Sequence, residues 1–321
     1  KNNIRPERPM AASTIAAQMG VICSPAAVAA VSLIALLDGQ TVGGHPFGFV
    51  QLFSVVIPSA IVGLFLVGTF SMFRGKDLDK DEKFQALIAD PEQKYVYGET
   101  TTLIGVKFTG KQWASLWIFL GIVALVAILG SVPELRPMVG KKRLSMTLVI
   151  QMMMLLAGIL MVMFCNAKKI SKTSVFNAGM VAIVSVYGVA WMSDTMFSNH
   201  LPQLKAGLTE WVRAYPWAYG AVLLLVSKLV NSQAAAIATV TPVAIAIGTP
   251  PGIIVAMASA CYGYYILPTY PSDLAALTFD RSGTTHIGKF VINHSFIAPG
   301  LIGVLSATAV GYVLGMIYGY I

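Results

Sequence analysis

Three short stretches of this chain place polar chemistry inside an apolar sequence. They are Gln18 to Pro25 (QMGVICSP), Ser227-Lys228 with Asn231, Ser232 and Gln233, and Leu267 to Asp273 (LPTYPSD). Between them they offer hydroxyls, side-chain amides, one ammonium, and the helix-breaking prolines Pro25, Pro268 and Pro271. A proline inside a helix removes an amide donor and clashes with the preceding turn. In hydrocarbon, the carbonyls so freed must be satisfied by protein, water or ligand. A helix that restarts after such a break presents unpaired amides and the positive end of its dipole. The combination suits holding an anion within a membrane.

Each stretch also has a plainer reading. Pro25 fits a simple kink. In the functional alternative Ser24 caps a helix resuming at Pro25, with proline at the favoured first position. Pro268 and Pro271, flanking Thr269 and followed by Ser272, fit an interfacial loop or an unwound stretch with a helix restarting near Pro271. Lys228 at mid-span costs roughly 3 kcal/mol on insertion scales. It then needs a partner or a polar cavity, or it snorkels to an interface. Asn231–Gln233 interrupts its apolar run and fits a hairpin tip. Asp273 has three readings: cap of its helix, partner of Lys228, or a group that shapes the site without touching an anion. The candidate substrate-binding residues are therefore Ser24, Lys228, Asn231, Ser232, Gln233, Thr269 and Ser272. Pro25, Pro268, Pro271 and Asp273 have structural or regulatory roles.

Enzyme chemistry finds little support. His45, His200, His286 and His294 form no HExxH, and no GxxxxGK[ST] loop is present. Cys23, Cys165 and Cys261 lie far apart with no CxxC pair. No catalytic residue, metal or cofactor is expected. Lys228 with Ser232, four residues apart on one helix face, is the one dyad to weigh. Ser282–Thr285 beside Arg281 fits a small anion nest or a tight turn. Asp194 reads as an interfacial cap.

The elements that carry these residues follow from composition. Hydrophobic residues make up 56% and charged residues 11% of the chain, too few charges to cover a water-soluble surface. Mean hydropathy is +0.73. The net charge of +8 sits in short loops between apolar runs, as juxtamembrane Lys and Arg do, and no nucleic-acid partner is expected. Apolar runs able to cross about 30 Å of hydrocarbon lie near 9–36, 51–73, 114–131, 145–165, 174–197, 216–247, 251–279 and 294–318. Several exceed the roughly 20 residues of a straight span and carry internal breaks. The segment 74–111 is polar, and its lysines place it in the cytoplasm. The loop 37–50 then lies outside and 166–173 inside. Arg136, Lys141, Lys142 and Arg143 in 132–143 break that pattern. Lys205–Arg213 reads as an interfacial segment anchored by Trp211, Tyr215 and Trp217. A weak echo relates residues 12–30 to 258–276 through Ala12/Ala258, Ser13/Ser259, Pro25/Pro271, Ala29/Ala275 and Ala30/Ala276. Paired broken spans in two halves point to a transporter site.

The fold class expected is all-α: a polytopic transmembrane helical transporter with broken helices or re-entrant hairpins and inverted repeats. Its parts are 1–73 (end of a first repeat), 74–112 (cytoplasmic loop) and 113–321 (second membrane half). The chain starts at Lys1 without an initiator Met, as an N-terminally truncated fragment would.

At these residues a family resemblance emerges. Asn231-Ser-Gln-Ala-Ala235, the run from Tyr262 to Ala276, Phe279-Asp-Arg-Ser-Gly-Thr-Thr-His-Ile-Gly288 and Val291-Ile-Asn-His294 closely resemble the anaerobic C4-dicarboxylate transporter (Dcu) family. Phe73-Arg-Gly-Lys-Asp-Leu-Asp-Lys80 and Lys228 resemble its B-type members. The resemblance implies a secondary transporter of the bacterial inner membrane, not an enzyme. It would take up fumarate, malate or aspartate against succinate efflux in anaerobic fumarate respiration. It also implies a second role beside a membrane sensor histidine kinase. The nearest alternatives are a transporter of another organic anion and a membrane sensor or interaction subunit.

Overall fold

The computed structural model describes residues 3–25, 27–90, 107–140, 142–144, 146–164, 167–173 and 218–321, with scattered positions between 176 and 215. Most of the expected span 174–197, Asp194, the segment Lys205–Arg213, Trp217, Cys165 and Lys141 lie outside the described residues. What is described is helical apart from loops and two minimal hairpins, Thr41–Val42 with His45–Pro46 and Met138–Val139 with Lys142–Arg143. The all-α expectation holds.

The first expected span is two helices, α1 (Glu7–Gly20) and α2 (Val28–Leu36). The break is where the sequence placed it, but its mechanism differs. Ala27 is extended (φ −77°, ψ 134°), so no helix runs through Pro25, and α2 has no side-chain cap. The Ala27 amide donates to the Ser24 carbonyl at 3.1 Å, which seats Pro25 at the second position of a turn, where its fixed φ fits. Ser24 therefore closes a turn and does not cap a helix. The related Pro271 does begin a helix, so the two copies of the echo differ locally.

Among the described residues, two helices run unbroken and are long and apolar enough to cross a membrane: α3 (Phe49–Met72) and, near the end of the chain, Ile297–Ile317. They pack along each other through small residues. A Cβ added at Gly63 would lie 3.2 Å from the Gly303 carbonyl. Close backbone approach of this kind is how helices associate in lipid. Their outer faces are apolar and bare, with Phe65 72% and Leu305 62% exposed, as lipid-facing residues are. After α3 come a polar stretch with α4 (Glu82–Ala89), then α5 (Gly110–Ser131) and α6 (Met146–Phe164), which pack on each other, and the short α7 (Ala167–Ile170). Two of the basic residues that break the charge rule between α5 and α6 have local work. Arg136 Nε donates to the Leu129 carbonyl at 2.8 Å, and Arg143 donates to the carbonyls of Glu134 and Arg136.

The run 216–247 folds as a hairpin of α8 (Ala218–Val230) and α9 (Gln233–Ala246). Tyr219 Oη and Thr241 Oγ1 meet at 2.9 Å, which makes the arms antiparallel and puts the tip at Asn231–Ser232. The arms have 13 and 14 residues. At about 1.5 Å rise each is ~20 Å long, short of the ~30 Å hydrocarbon core. That is the geometry of a re-entrant hairpin. Asn231 sits at φ +47°, a left-handed conformation that asparagine tolerates. Ser232 Oγ then caps α9 by accepting the Ala235 amide at 3.2 Å.

The run 251–279 is the most broken. It starts as α10 (Pro251–Ala256), tightens into 3₁₀ turns at Ala258–Cys261 and Gly263–Ile266, extends through 267–270, and resumes as α11 (Pro271–Phe279). Pro271 occupies the first turn of α11, where its missing N–H costs nothing. The helix Ile297–Ile317 (α12) closes the chain.

The 3₁₀ stretch crosses α8 so closely that only glycine fits at 263. A Cβ there would come 2.3 Å from the Leu224 carbonyl. Gly263→Ala should lower stability by about 1–3 kcal/mol, the usual cost of overpacking. Gly121→Ala, with nothing within 4 Å, should be close to neutral. Thermal unfolding of both variants in detergent checks this, and equal midpoints would contradict the packing.

Candidate functional site

Gln18, in the last turn of α1, joins all three breaks. Its backbone carbonyl accepts a hydrogen bond from Gln233 Nε2, just past the hairpin tip, at 2.6 Å. Its side-chain Nε2 donates to Asp273 Oδ1 at 2.8 Å and Ser272 Oγ at 3.3 Å, at the start of α11. Thr14, one turn earlier, donates from Oγ1 to the Ser272 carbonyl at 3.3 Å. The N-termini of α9 and α11 are thereby held at one place, each with its positive dipole end turned to the interior.

Lys228 pins the unwound stretch to the hairpin. Its Nζ donates to Asn231 Oδ1 (3.0 Å), the Leu267 carbonyl (2.8 Å), Thr269 Oγ1 (2.8 Å) and the Tyr264 carbonyl (3.3 Å). Asn231 Nδ2 donates to Thr269 Oγ1 at 3.2 Å. Unwinding frees backbone carbonyls, and an ammonium with three hydrogens supplies donors for them. The residue is 6% exposed, so it does not snorkel. Of the readings open to Asp273, capping is the one realised. Its Oδ2 accepts the Tyr270 amide at 3.3 Å and its Oδ1 takes the Gln18 bond. Among the described residues no carboxylate lies within ion-pair distance of Lys228, so the Lys228–Asp273 pair, one of the three readings, is not formed. The Lys228–Ser232 dyad is not formed either, since Ser232 Oγ is turned to its own helix.

Six sequence candidates thus come together: Lys228, Asn231, Gln233, Thr269, Ser272 and Asp273. Ser232 and Pro271 shape helix starts beside them, and Pro268 lies in the unwound stretch. From the first break it is Gln18 that reaches the others, and Ser24 contributes its carbonyl to the turn. Gln18 and Tyr264 were not singled out as site residues by sequence reasoning. The Tyr264 hydroxyl accepts the Gln233 amide, and its ring stacks on Tyr270 with centroids 4.2 Å apart. A lone glutamine in the apolar run just before a proline break was the available signal for the first. A tyrosine among tyrosines reads as core.

A second polar cluster lies at the end of the molecule where α1 starts and α3 ends. Buried Glu7 accepts from Arg74 (2.9 Å), Arg5 (2.7 Å) and Ser295 Oγ (2.7 Å). Arg5 also pairs with Asp81, and Arg8 with Asp77. The stretch Ser282–Thr285, read as a small anion nest or a tight turn, folds around a carboxylate of the chain itself. Asp280 accepts from the Ser282 amide at 2.8 Å, Thr284 Oγ1 at 2.9 Å and the Thr285 amide. Burial opposes the charged form of Asp280, but these hydrogen bonds outweigh it and hold the carboxyl below its usual range. A 380 Å³ cleft between α1 and α3, lined by Ile4, Arg8, Pro9, Ala12, Gly68, Ser71 and Met72, lies away from the three breaks.

Comparison with known proteins supplies a family. The model of the family described as "Anaerobic c4-dicarboxylate membrane transporter" matches residues 1–319. The chain is 59% identical over 324 residues to "Anaerobic C4-dicarboxylate transporter DcuB" of Escherichia coli O6:H1, covering all of this chain and 73% of the relative. It is 33% identical over 321 residues to "C4-dicarboxylate transporter DcuA" of Escherichia coli K12, covering 98% and 71%. It is 30% identical over 327 residues to the protein of that name from Wolinella succinogenes, covering 99% and 72%. No solved structure matches.

If Lys228 holds the unwound stretch, Lys228→Met should speed amide hydrogen exchange across 264–270 by roughly ten- to hundredfold, the equivalent of about 1–3 kcal/mol of lost hydrogen bonding. Protection in α3 and α12 should stay as it was. Unchanged exchange at 264–270 would show that the clamp carries no stability.

Proposed function

The chain belongs to the anaerobic C4-dicarboxylate membrane transporter family, and from that premise we propose that it exchanges one C4-dicarboxylate for another at the junction of its three broken spans. Family membership makes it a multi-pass protein of the bacterial inner membrane and a transporter, not an enzyme. The substrates, their direction and the exchange mode are our reading: fumarate, malate or aspartate inward against succinate outward, during anaerobic fumarate respiration.

The observation that carries this reading is the buried Lys228 ammonium. It has neutral acceptors and, among the described residues, no carboxylate in contact. A positive charge in a low-dielectric interior with no carboxylate in contact favours an anion there. The starts of α9 and α11 add two dipole ends of the same sign. Asn231, Gln233, Thr269 and Ser272 supply side-chain donors, and Asp273 stays occupied with its cap.

Exchange follows from how Lys228 is used. Its three hydrogens already face four acceptors, so a substrate carboxylate must displace one of them. Displacing Leu267 or Thr269 would free the unwound stretch from the hairpin tip and allow it to move. Without an anion the clamp closes again. A protein that moves only when loaded carries out exchange and not net flow. The second role, beside a membrane sensor histidine kinase, rests on the family resemblance. It predicts co-purification of the two proteins from membranes, and failure to recover the pair in either direction would remove it.

In proteoliposomes, unlabelled fumarate and succinate inside should each drive uptake of labelled succinate, and their absence should abolish it. Thr269→Ala and Lys228→Ala should each lower exchange tenfold or more with membrane insertion unchanged. Failure of both dicarboxylates to drive uptake, with success of another organic anion, would move the substrate class. No flux from the full-length protein would favour a sensor or interaction subunit.

A further inference from the structure

Six buried side-chain oxygens have no hydrogen-bond partner among the described residues, and three of them belong to the elements that meet at the breaks: Gln18 Oε1 and the hydroxyls of Tyr262 and Tyr265. The tyrosines are 1% and 0% exposed. Buried phenols ordinarily find a partner, and an unmade bond in a low dielectric destabilises the fold. Tyr264, between them in sequence, behaves as expected, with its hydroxyl bonded to the Gln233 amide. Packing alone does not account for tyrosine at 265. The Tyr265 ring fills the space beside Gly300, where a Cβ would come within 2.2 Å of it, and phenylalanine would fill that space equally well.

Position narrows the missing partner. Tyr262 links the two 3₁₀ turns and Tyr265 stands on the second, one on each side of the Tyr264 carbonyl that Lys228 holds. Both pack in the cluster that contains Ile15 and Met19 of α1, beside Gln18. A phenolic O–H is a donor in need of an acceptor. A carboxylate is acceptor-only and makes its strongest bonds to such donors.

We infer that Tyr262 and Tyr265 bind a substrate carboxylate, donating from hydroxyls that have no partner among the described residues. The inference rests on the dicarboxylate reading above and extends it to two residues outside the polar junction. Lys228 and the helix ends serve one end of the dianion, and the two phenols serve the other. Such a division would set the length of dicarboxylate that both ends can grip.

Tyr→Phe substitution tests this with a sign that a purely structural role does not share. Removing an unpaired buried hydroxyl leaves the empty protein as stable as before or more so. Removing a carboxylate donor weakens binding by roughly ten- to hundredfold, the equivalent of a charge-assisted hydrogen bond. The experiment uses the full-length protein in detergent, with thermal midpoints measured without and with succinate, and half-saturation for succinate exchange in proteoliposomes. Tyr262→Phe and Tyr265→Phe should keep or raise the midpoint without succinate, lose most of its succinate-induced rise, and raise half-saturation tenfold or more. Tyr264→Phe should lower the midpoint without succinate. If the 262 and 265 variants instead lose stability in the empty protein, their hydroxyls have partners there and the inference is wrong. It is equally wrong if wild type responds to succinate and both variants respond as strongly, the result expected when a trapped water satisfies each phenol. If wild type shows neither a succinate-induced rise nor flux, the dicarboxylate reading itself fails.

Discussion

Backbone that is not helical has to be satisfied from within when it lies at membrane depth, and one buried ammonium does much of that work here. The stretch from Tyr264 to Thr269 is a 3₁₀ turn and then extended chain, so its carbonyls lack α-helical donors. Lys228 supplies donors to two of them and to Thr269 Oγ1, and reaches Asn231 at the hairpin tip with the same group. Once that is granted, other features follow. The hairpin must stop at mid-depth for Lys228, near the end of its first arm, to face the unwound stretch. Asn231 must turn left-handed to bring the second arm back. Gly263 must lack a side chain for the 3₁₀ turns to pass α8.

The same arrangement provides charge and mobility together. A continuous span buries no free donors and has nothing to offer an anion. A broken span offers helix ends and hydroxyls, but it would be unstable in lipid without an internal clamp. A clamp made of hydrogen bonds from one cation can be taken over by a carboxylate, and the acceptor it displaces is released with the unwound stretch. The ion-pair cluster of Glu7, Arg74, Arg5 and Ser295 contrasts with it. There each charge has a counter-charge in contact, which suits holding α1, α3 and the approach to α12 together.

Much of the junction was legible in the sequence, because its signals are local and strong. Pro268 and Pro271 so close together forbid a continuous helix, and an Asn-Ser-Gln cluster inside an apolar run marks a turn. A lysine in such a run requires a partner. What could not be read was which residues would meet. Ser24 looked like a cap because it precedes a proline, yet the extended Ala27 moved the helix start to Val28. Gln18 makes its contacts across more than 200 residues of sequence, and no local pattern announces such a contact. Asp273 was open to three roles, since a carboxylate in a first turn fits all of them. Its distance from Lys228 and its bond to the Tyr270 amide decided between them. At 282–285 a nest and a tight turn were equally open, and the Ser282 and Thr285 amides are taken by the chain's own Asp280.

The central claim is that the hairpin tip and the unwound stretch are held together in the empty protein and must separate for transport. A cysteine pair at Asn231 and Thr269, whose side chains meet at 3.2 Å, tests it most directly once Cys23, Cys165 and Cys261 have been replaced. The pair should form a disulfide readily without substrate and more slowly with saturating succinate, and the cross-linked protein should exchange no dicarboxylate, while reduction should restore the lowered exchange that loss of Asn231 and Thr269 leaves. A disulfide that forms while exchange continues at the reduced rate would contradict the claim, as would a pair that never cross-links.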